Sequence, residues 1–275
     1  MTAVGHDGRS AMTQATTPPV AARTVSLGGH PVTIADDYPT FWARADAGSW
    51  EPGTLQTQAG LITAETLFID LGAWIGPTSL HAAACGARVI AVEADPAAAA
   101  VLRNNIAANP RLAPRISVIE RAVAATSAPV TFGARRKPGD SMASMLLADT
   151  AAVTWTSQAV TPAELAGLIA PGERPVIKID LEGAEYGVLP ALGPLVAHPQ
   201  TAVLVSFHPG ILAEARLGAD RLSLERAALE PFSGWLARSV GNHGLGQAIA
   251  VDDLTADPEW GQQDQWLLSR GNPSR

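Results

Sequence analysis

FIDLGAWIG, residues 68–76, is the stretch on which the fold of this chain turns. The run TLFID that leads into it is apolar on both faces, as a central parallel strand covered on both sides should be, and it stops at Asp70. There the chain must turn sharply into the helix-like TSLHAAACG. Gly72 permits the turn and a close backbone approach, while Gly76 sits near the helix start, whose free amides favour an anionic or polar group. Strand, binding turn and helix follow in one unit. Glu93 ends the next strand, 23 positions after Asp70, near the interval of about 20 residues at which an acid meets ribose hydroxyls in doubly wound folds.

Outward from this unit, strand-like and helix-like blocks alternate, the pattern of a parallel sheet with helices on both faces. Strands are predicted at TLFIDLG, RVIAVEAD, RISVIERAV, PVIKIDLEG and AVLVSFHPG. Asp95 and Pro96 open a helix through ADPAAAAVLRNNIAAN, and a second capped helix begins after Thr161 in TPAELAGLIA. Residues 1–24 are small and polar and read as a disordered tail. Residues 25–60 read as an N-terminal cap with a strand pair turning at Gly28 and Gly29, and 61–275 as the main domain. A long insertion at 126–160 has strand-like ends and a flexible centre. A late helix is expected across DRLSLERAALEPFSGWLARS, and late strands at QAIAVDDL and QWLLSR. No internal repeat is visible.

Hydrophobic content of 47% with 16% charged residues describes a globular chain, and no run of eighteen apolar residues or secretory leader occurs, so a cytoplasmic location is expected. The single cysteine, Cys85, cannot form an internal disulfide and reads as a buried thiol; His81 reads as structural. A net charge of −7 argues against a general affinity for nucleic acid, which needs clustered Lys and Arg. No Asn-Pro-Pro-aromatic or Asp-Pro-Pro-aromatic motif for amine methylation is present either. The one basic cluster, ARRKPG at 134–139, reads as a solvated loop.

Glycine spacing separates two cofactor classes. A dinucleotide needs G-x-G-x-x-G so that backbone can approach a pyrophosphate. Here Trp74 stands where the middle glycine would be, and Asp70 would repel phosphate. S-adenosylmethionine carries a cationic sulfonium and an ammonium, which a carboxylate attracts, so Asp70 favours it.

Taken together, FIDLGAWIGPTSL, VIAVEADPAAAAVLRNNIAAN, VIERAVAA and above all VIKIDLEGAEYGVL, with GSWEPGTL upstream, resemble the FkbM family of S-adenosylmethionine-dependent methyltransferases over roughly residues 45–210. The resemblance implies an α/β class I methyltransferase fold, a Rossmann-like doubly wound sheet that is mostly parallel with an antiparallel late strand. It implies methyl transfer to a hydroxyl oxygen. It also implies that Asp70, Gly72, Ala73, Trp74 and Gly76 surround the methionine end, that Glu93 and Ala94 lie at the ribose, and that Arg121 and Ala122 border the adenine. Trp74 departs from the family's usual asparagine and could act as an apolar lid; Glu51 is a candidate lid contact.

An alcohol acceptor needs a base. Asp180 ends the fourth strand and Glu182 follows on the next turn; Asp180 is expected to bind the cofactor or orient the acceptor, though both could simply cap a helix. His208, at the end of the fifth strand, has an ordinary pKa near 6.5, suited to taking a proton. His243 in VGNHGLG and Ser141 or Ser144 in the insertion could border the acceptor. Asp180, Glu182 and His208 could assemble a magnesium site, yet carboxylates beside this cofactor are explained without one, so no metal is expected. The expected partner is a small or medium-sized hydroxylated molecule, such as a sugar or natural product, with no nucleic acid and no membrane. The competing readings are an inactive binding or scaffold protein on the same fold and a nicotinamide-dependent oxidoreductase. Oligomeric state does not follow from the residues.

Overall fold

The computed structural model describes residues 22–35, 37–214, 220–257, 260 and 265–271. Strands Ile116–Ile119, Arg88–Val92, Thr66–Leu71, Arg174–Ile179 and Ala202–Ser206 stand side by side in that order, all parallel. Gln265–Ser269 comes next, antiparallel, followed by Leu236–Gly241. The mostly parallel sheet and its antiparallel late strand are those implied by the family resemblance.

The first three strands in chain order step one way across the sheet, and Arg174–Ile179 returns to the other side of Thr66–Leu71. The chain therefore diverges above these two neighbours, and a crevice opens at their carboxyl ends, where doubly wound sheets bind ligands. Both strands are buried almost throughout, which is why they read as unbroken apolar runs. One face packs Phe68, Val89, Ala91 and Val176 against Leu80, Leu102 and the N-terminal hairpin. The opposite face packs Leu67, Ile69, Ile90 and Ile177 against Val188, Leu195, Leu229 and Phe232.

Local signals hold where they are chemical. Asp95 caps helix Pro96–Ala107 by accepting from the Ala97 amide at 2.8 Å, with proline at the first turn. Thr161 and Glu164 form a capping box on helix Pro162–Ala166, which is shorter than TPAELAGLIA. The hairpin Ala22–Leu27 with His30–Ala35 turns at Gly28 and Gly29, both with positive φ. Residues 1–21 of the expected tail lie outside the described residues, while 22–24 already belong to this hairpin. Helices Pro39–Asp46 and Pro52–Leu61 complete the N-terminal segment.

Two expectations are corrected toward the C-terminus. The helix expected over 220–239 stops at Leu229, because Pro231 and Gly234 interrupt it, and WLARS instead enters the sheet as Leu236–Gly241. QAIAVDDL contributes only Ile249–Ala250 as strand before a 3-10 turn over Val251–Ala256. The ends of the insertion do pair, Val130–Ala134 with Val153–Ser157, and its centre folds back so that Gly133 bridges Ser144. Among the described residues no helix is long and apolar enough to cross a membrane.

Candidate active site

Gly72 and Ala73 both donate their amides to the carbonyl of Val92, which fixes the turn after Thr66–Leu71. A side chain at 72 would run into the carbonyl of Asp180, and φ there is +85°, so only glycine lets the two strand ends meet. Glu93 faces the same turn. Its carboxylate accepts from the Trp74 amide and from the Asp95 amide, each at 2.7 Å, and burial pushes it up to about 7.

Three adjoining cavities run along this edge. The first is lined by Glu93, Ala94, Arg121, Val123, Met145 and the stacked pair Phe132 and Trp155, among others. A second opens beside Trp50, Glu51, Ala73 and Lys178, and a third beside Ser206, His208 and Gln265. Asp180 and Glu182 line all three, so they form the wall between them. Gly72 and Trp74 line the first two.

Four of the expected cofactor contacts stand differently. Asp70 is fully buried behind the turn and is not among the residues lining the crevice; its Oδ2 accepts from Thr78 and Ser79 at 2.7 and 2.6 Å, pinning the helix start. Burial raises its pKa against the pull of Lys178, the residue facing it on the next strand. Gly76 does not line the crevice either: its missing Cβ makes room for Leu102, a packing demand. Ala122 is buried in a short strand pair with Ala159, leaving its neighbours Arg121 and Val123 to line the first cavity. Trp74, at φ +48°, turns its ring edge-on to Tyr38 and Phe41 and donates Nε1–H to the carbonyl of Gly139 at 3.0 Å. It clasps the insertion to the glycine turn.

Asp180 is held by Lys178, whose Nζ donates to Oδ2 at 2.8 Å. Burial opposes ionisation of Asp180, but Lys178 and His208 together hold its pKa below the usual range. His208 Nε2 lies 3.4 Å from Asp180 Oδ1 and 3.7 Å from Glu182 Oε1; Nδ1 lies 3.2 Å from Glu185 Oε1, which also accepts the His208 amide. Although burial disfavours the imidazolium, these carboxylates raise His208 to about 9. The expected imidazole with an ordinary pKa is therefore corrected to one that keeps its proton at neutrality. Glu182, at φ +50°, is raised to about 7 by burial, against the pull of His208. These three residues do place ligand atoms within 4.8 Å of one another, as their sequence positions suggested.

His243 lies in a separate cavity with Ser239 and Leu245. Ser144 is buried and spends its hydroxyl on the carbonyl of Glu182, whereas Ser141 does line the crevice. Arg135 to Pro138 are exposed, as a solvated loop requires, but Gly139 is buried and bonded. Sequence reasoning passed over Lys178, Phe132 and Trp155. Lys178 had a signal: it is the one charged residue inside an otherwise apolar strand, VIKI.

The sheet order and the crevice at its switch point define a class I methyltransferase fold. The methyltransferase FkbM domain model matches residues 70–250, more than half of the chain, and the chain belongs to that family. No curated protein matches. Among solved structures, an O-methyltransferase from Bacillus cereus in complex with SAH is 15% identical, with 82% of this chain and 84% of that chain covered and a TM-score of 0.43. A precorrin-6y C5,15-methyltransferase from Geobacter metallireducens is 11% identical over 78% and 83%, with a TM-score of 0.38. A SAM-dependent methyltransferase from Agrobacterium tumefaciens is 12% identical over 91% and 70%, with a TM-score of 0.42.

Proposed function

We propose that this chain transfers a methyl group from S-adenosylmethionine to a hydroxyl oxygen of a small or medium-sized molecule, of sugar or natural-product type. The observation that carries the reading is the shared wall: Asp180 and Glu182 line both the crevice that holds Glu93 and an outer cavity that opens beside His208.

The residues present suit the cofactor. Each oxygen of Glu93 makes one amide hydrogen bond and retains a lone pair for a ribose hydroxyl. Phe132 and Trp155 offer flat aromatic surface to an adenine, and Met145 a polarisable thioether. At the methionine end, Glu51 Oε2 is a buried acceptor without a hydrogen-bond donor, the situation an ammonium relieves, and Lys178 can meet a carboxylate.

When bound, S-adenosylmethionine supplies an electrophilic methyl group on a sulfonium. The protein must align the acceptor oxygen and take its proton. Glu182, raised to about 7, is the group matched to that task near neutrality, while protonated His208 holds Asp180 and Glu182 in place and can donate to the acceptor. Asp180, kept ionised by Lys178, orients the hydroxyl.

Incubation with methyl-labelled S-adenosylmethionine and a panel of alcohols, sugars, amines and carboxylic acids tests this. Label should appear in a base-stable methyl ether. Transfer only to amines or carboxylates, or binding of the cofactor with no transfer to any acceptor, would overturn the hydroxyl assignment.

A further inference from the structure

A second cluster of potential ligands lies outside the crevice, where the N-terminal hairpin meets helix Pro77–Ala84. His30 opens the second hairpin strand, His81 lies on the helix, and Cys85 is its C-cap. Cys85 Sγ is 3.5 Å from His30 Nε2 and 3.6 Å from His81 Nε2. Zinc bonds of about 2.3 Å to sulfur and about 2.05 Å to nitrogen, at a tetrahedral angle, set sulfur and nitrogen about 3.6 Å apart. Both sulfur–nitrogen separations thus match the edge of a coordination tetrahedron, and all three ligand atoms lie within 4.8 Å of one another.

Two further observations concern His81. The amide of Gln58 donates to the carbonyl of Thr78 at 2.8 Å, which turns Gln58 Oε1 toward His81 Nδ1 at 3.0 Å. Nδ1 must then carry the proton, and Nε2 presents its lone pair to the cluster, the arrangement by which outer partners orient a metal-binding histidine. His81 is completely buried. Above Nε2 lies Gly28, where a Cβ would approach that nitrogen to 2.6 Å. Only glycine lets the hairpin turn pass this close to the ring.

We propose that His30, His81 and Cys85 form a binding site for a zinc-type divalent cation that ties the N-terminal hairpin to helix Pro77–Ala84. Binding replaces the thiol proton: Cys85 S–H and M²⁺ give Cys85 S–M⁺ and H⁺, with no change of oxidation state. His30 and Cys85 are partly exposed, which gives the ion a path in. The site sits away from the crevice but is joined to it, because Gln58 and His81 lie on helices Pro52–Leu61 and Pro77–Ala84, whose N-cap Glu51 and first residue Pro77, respectively, line the cavity beside Ala73.

The chain has a single cysteine, so any thiolate–metal absorption reports this site alone. Titration of reduced, metal-free protein with Co²⁺ should give a sulfur-to-cobalt charge-transfer band that saturates at one equivalent and is bleached by Zn²⁺. Cys85→Ser should lack the band, and His30→Ala, changed at the partly exposed ligand, should need at least about tenfold more cobalt. Cobalt bound without that band would place the cation elsewhere, and no cobalt bound would leave an S–H···N hydrogen-bond chain; either result overturns the proposal using the unaltered protein.

Discussion

Glu51, Trp74 and Glu182 are the non-glycine residues with positive φ among the described residues, and all three line one cavity. Each such conformation costs on the order of 1–3 kcal/mol and persists where surrounding contacts over-determine it. At Trp74 the contacts are visible: Glu93 on its amide and Gly139 on its indole. At Glu182 the carbonyl is held by Ser144. Glu182→Gln keeps the shape and removes the proton acceptor, so turnover should fall roughly 10²–10⁴-fold while S-adenosylhomocysteine affinity stays within a few-fold. In the unaltered protein kcat/KM should rise with pH through about 7, the folded-state value of Glu182, and the variant should lose that limb. His208 makes a separate prediction. Its folded pKa of about 9 exceeds the ordinary value near 6.5, so its stabilising contribution is complete below about pH 6.5 and disappears as pH rises through about 9. Thermal unfolding should therefore show the largest gap between wild type and His208→Gln near about pH 6 and a vanishing gap above about pH 9.

At the scale of elements, the basic loop of the insertion is tied to the crevice through Gly139. Gly139 donates its amide to Asp95 and accepts from Tyr38 Oη at 2.9 Å and Trp74 Nε1 at 3.0 Å. Trp74→Phe retains the aromatic edges and removes one hydrogen bond, worth about 1 kcal/mol. Hydrogen exchange of amides in 135–143 should quicken by about fivefold while the central strands are unaffected; unchanged exchange would show that the clasp does not hold this loop. The sequence marked 126–160 as an insertion with strand-like ends, but nothing local announced that its basic loop ends in a buried glycine. That depends on the indole of Trp74, 65 residues away. The same contrast explains the late helix: DRLSLERAAL is helical as expected, capped by Asp220, whereas WLARS could be placed only by pairing with Gln265–Ser269.

For the molecule as a whole, the architecture was legible because parallel strands buried on both faces write themselves as apolar runs, and because Asp70, Gly72 and Glu93 fall at strand ends. The roles of those residues were less legible. Asp70 was read as a ligand contact and stands instead behind the turn, paired across strands with Lys178; the position of a charge in depth is a tertiary fact. His208 was read from its ordinary pKa, but Glu185, Asp180 and Glu182 converge on it from another strand end and reverse its resting charge. Among the described residues the acids at the crevice rim, Glu93, Asp95, Asp140, Asp180 and Glu182, give it the sign that attracts a sulfonium and resists a pyrophosphate. Calorimetric titration tests that claim most directly, with S-adenosylhomocysteine and NADH each added to the intact protein and to Glu93→Ala. One equivalent of S-adenosylhomocysteine should bind, at least about tenfold more weakly in the folded variant, which lacks the ribose acceptors, and NADH should not bind. Folded protein that ignores S-adenosylhomocysteine, or that takes NADH in its place, would contradict the account.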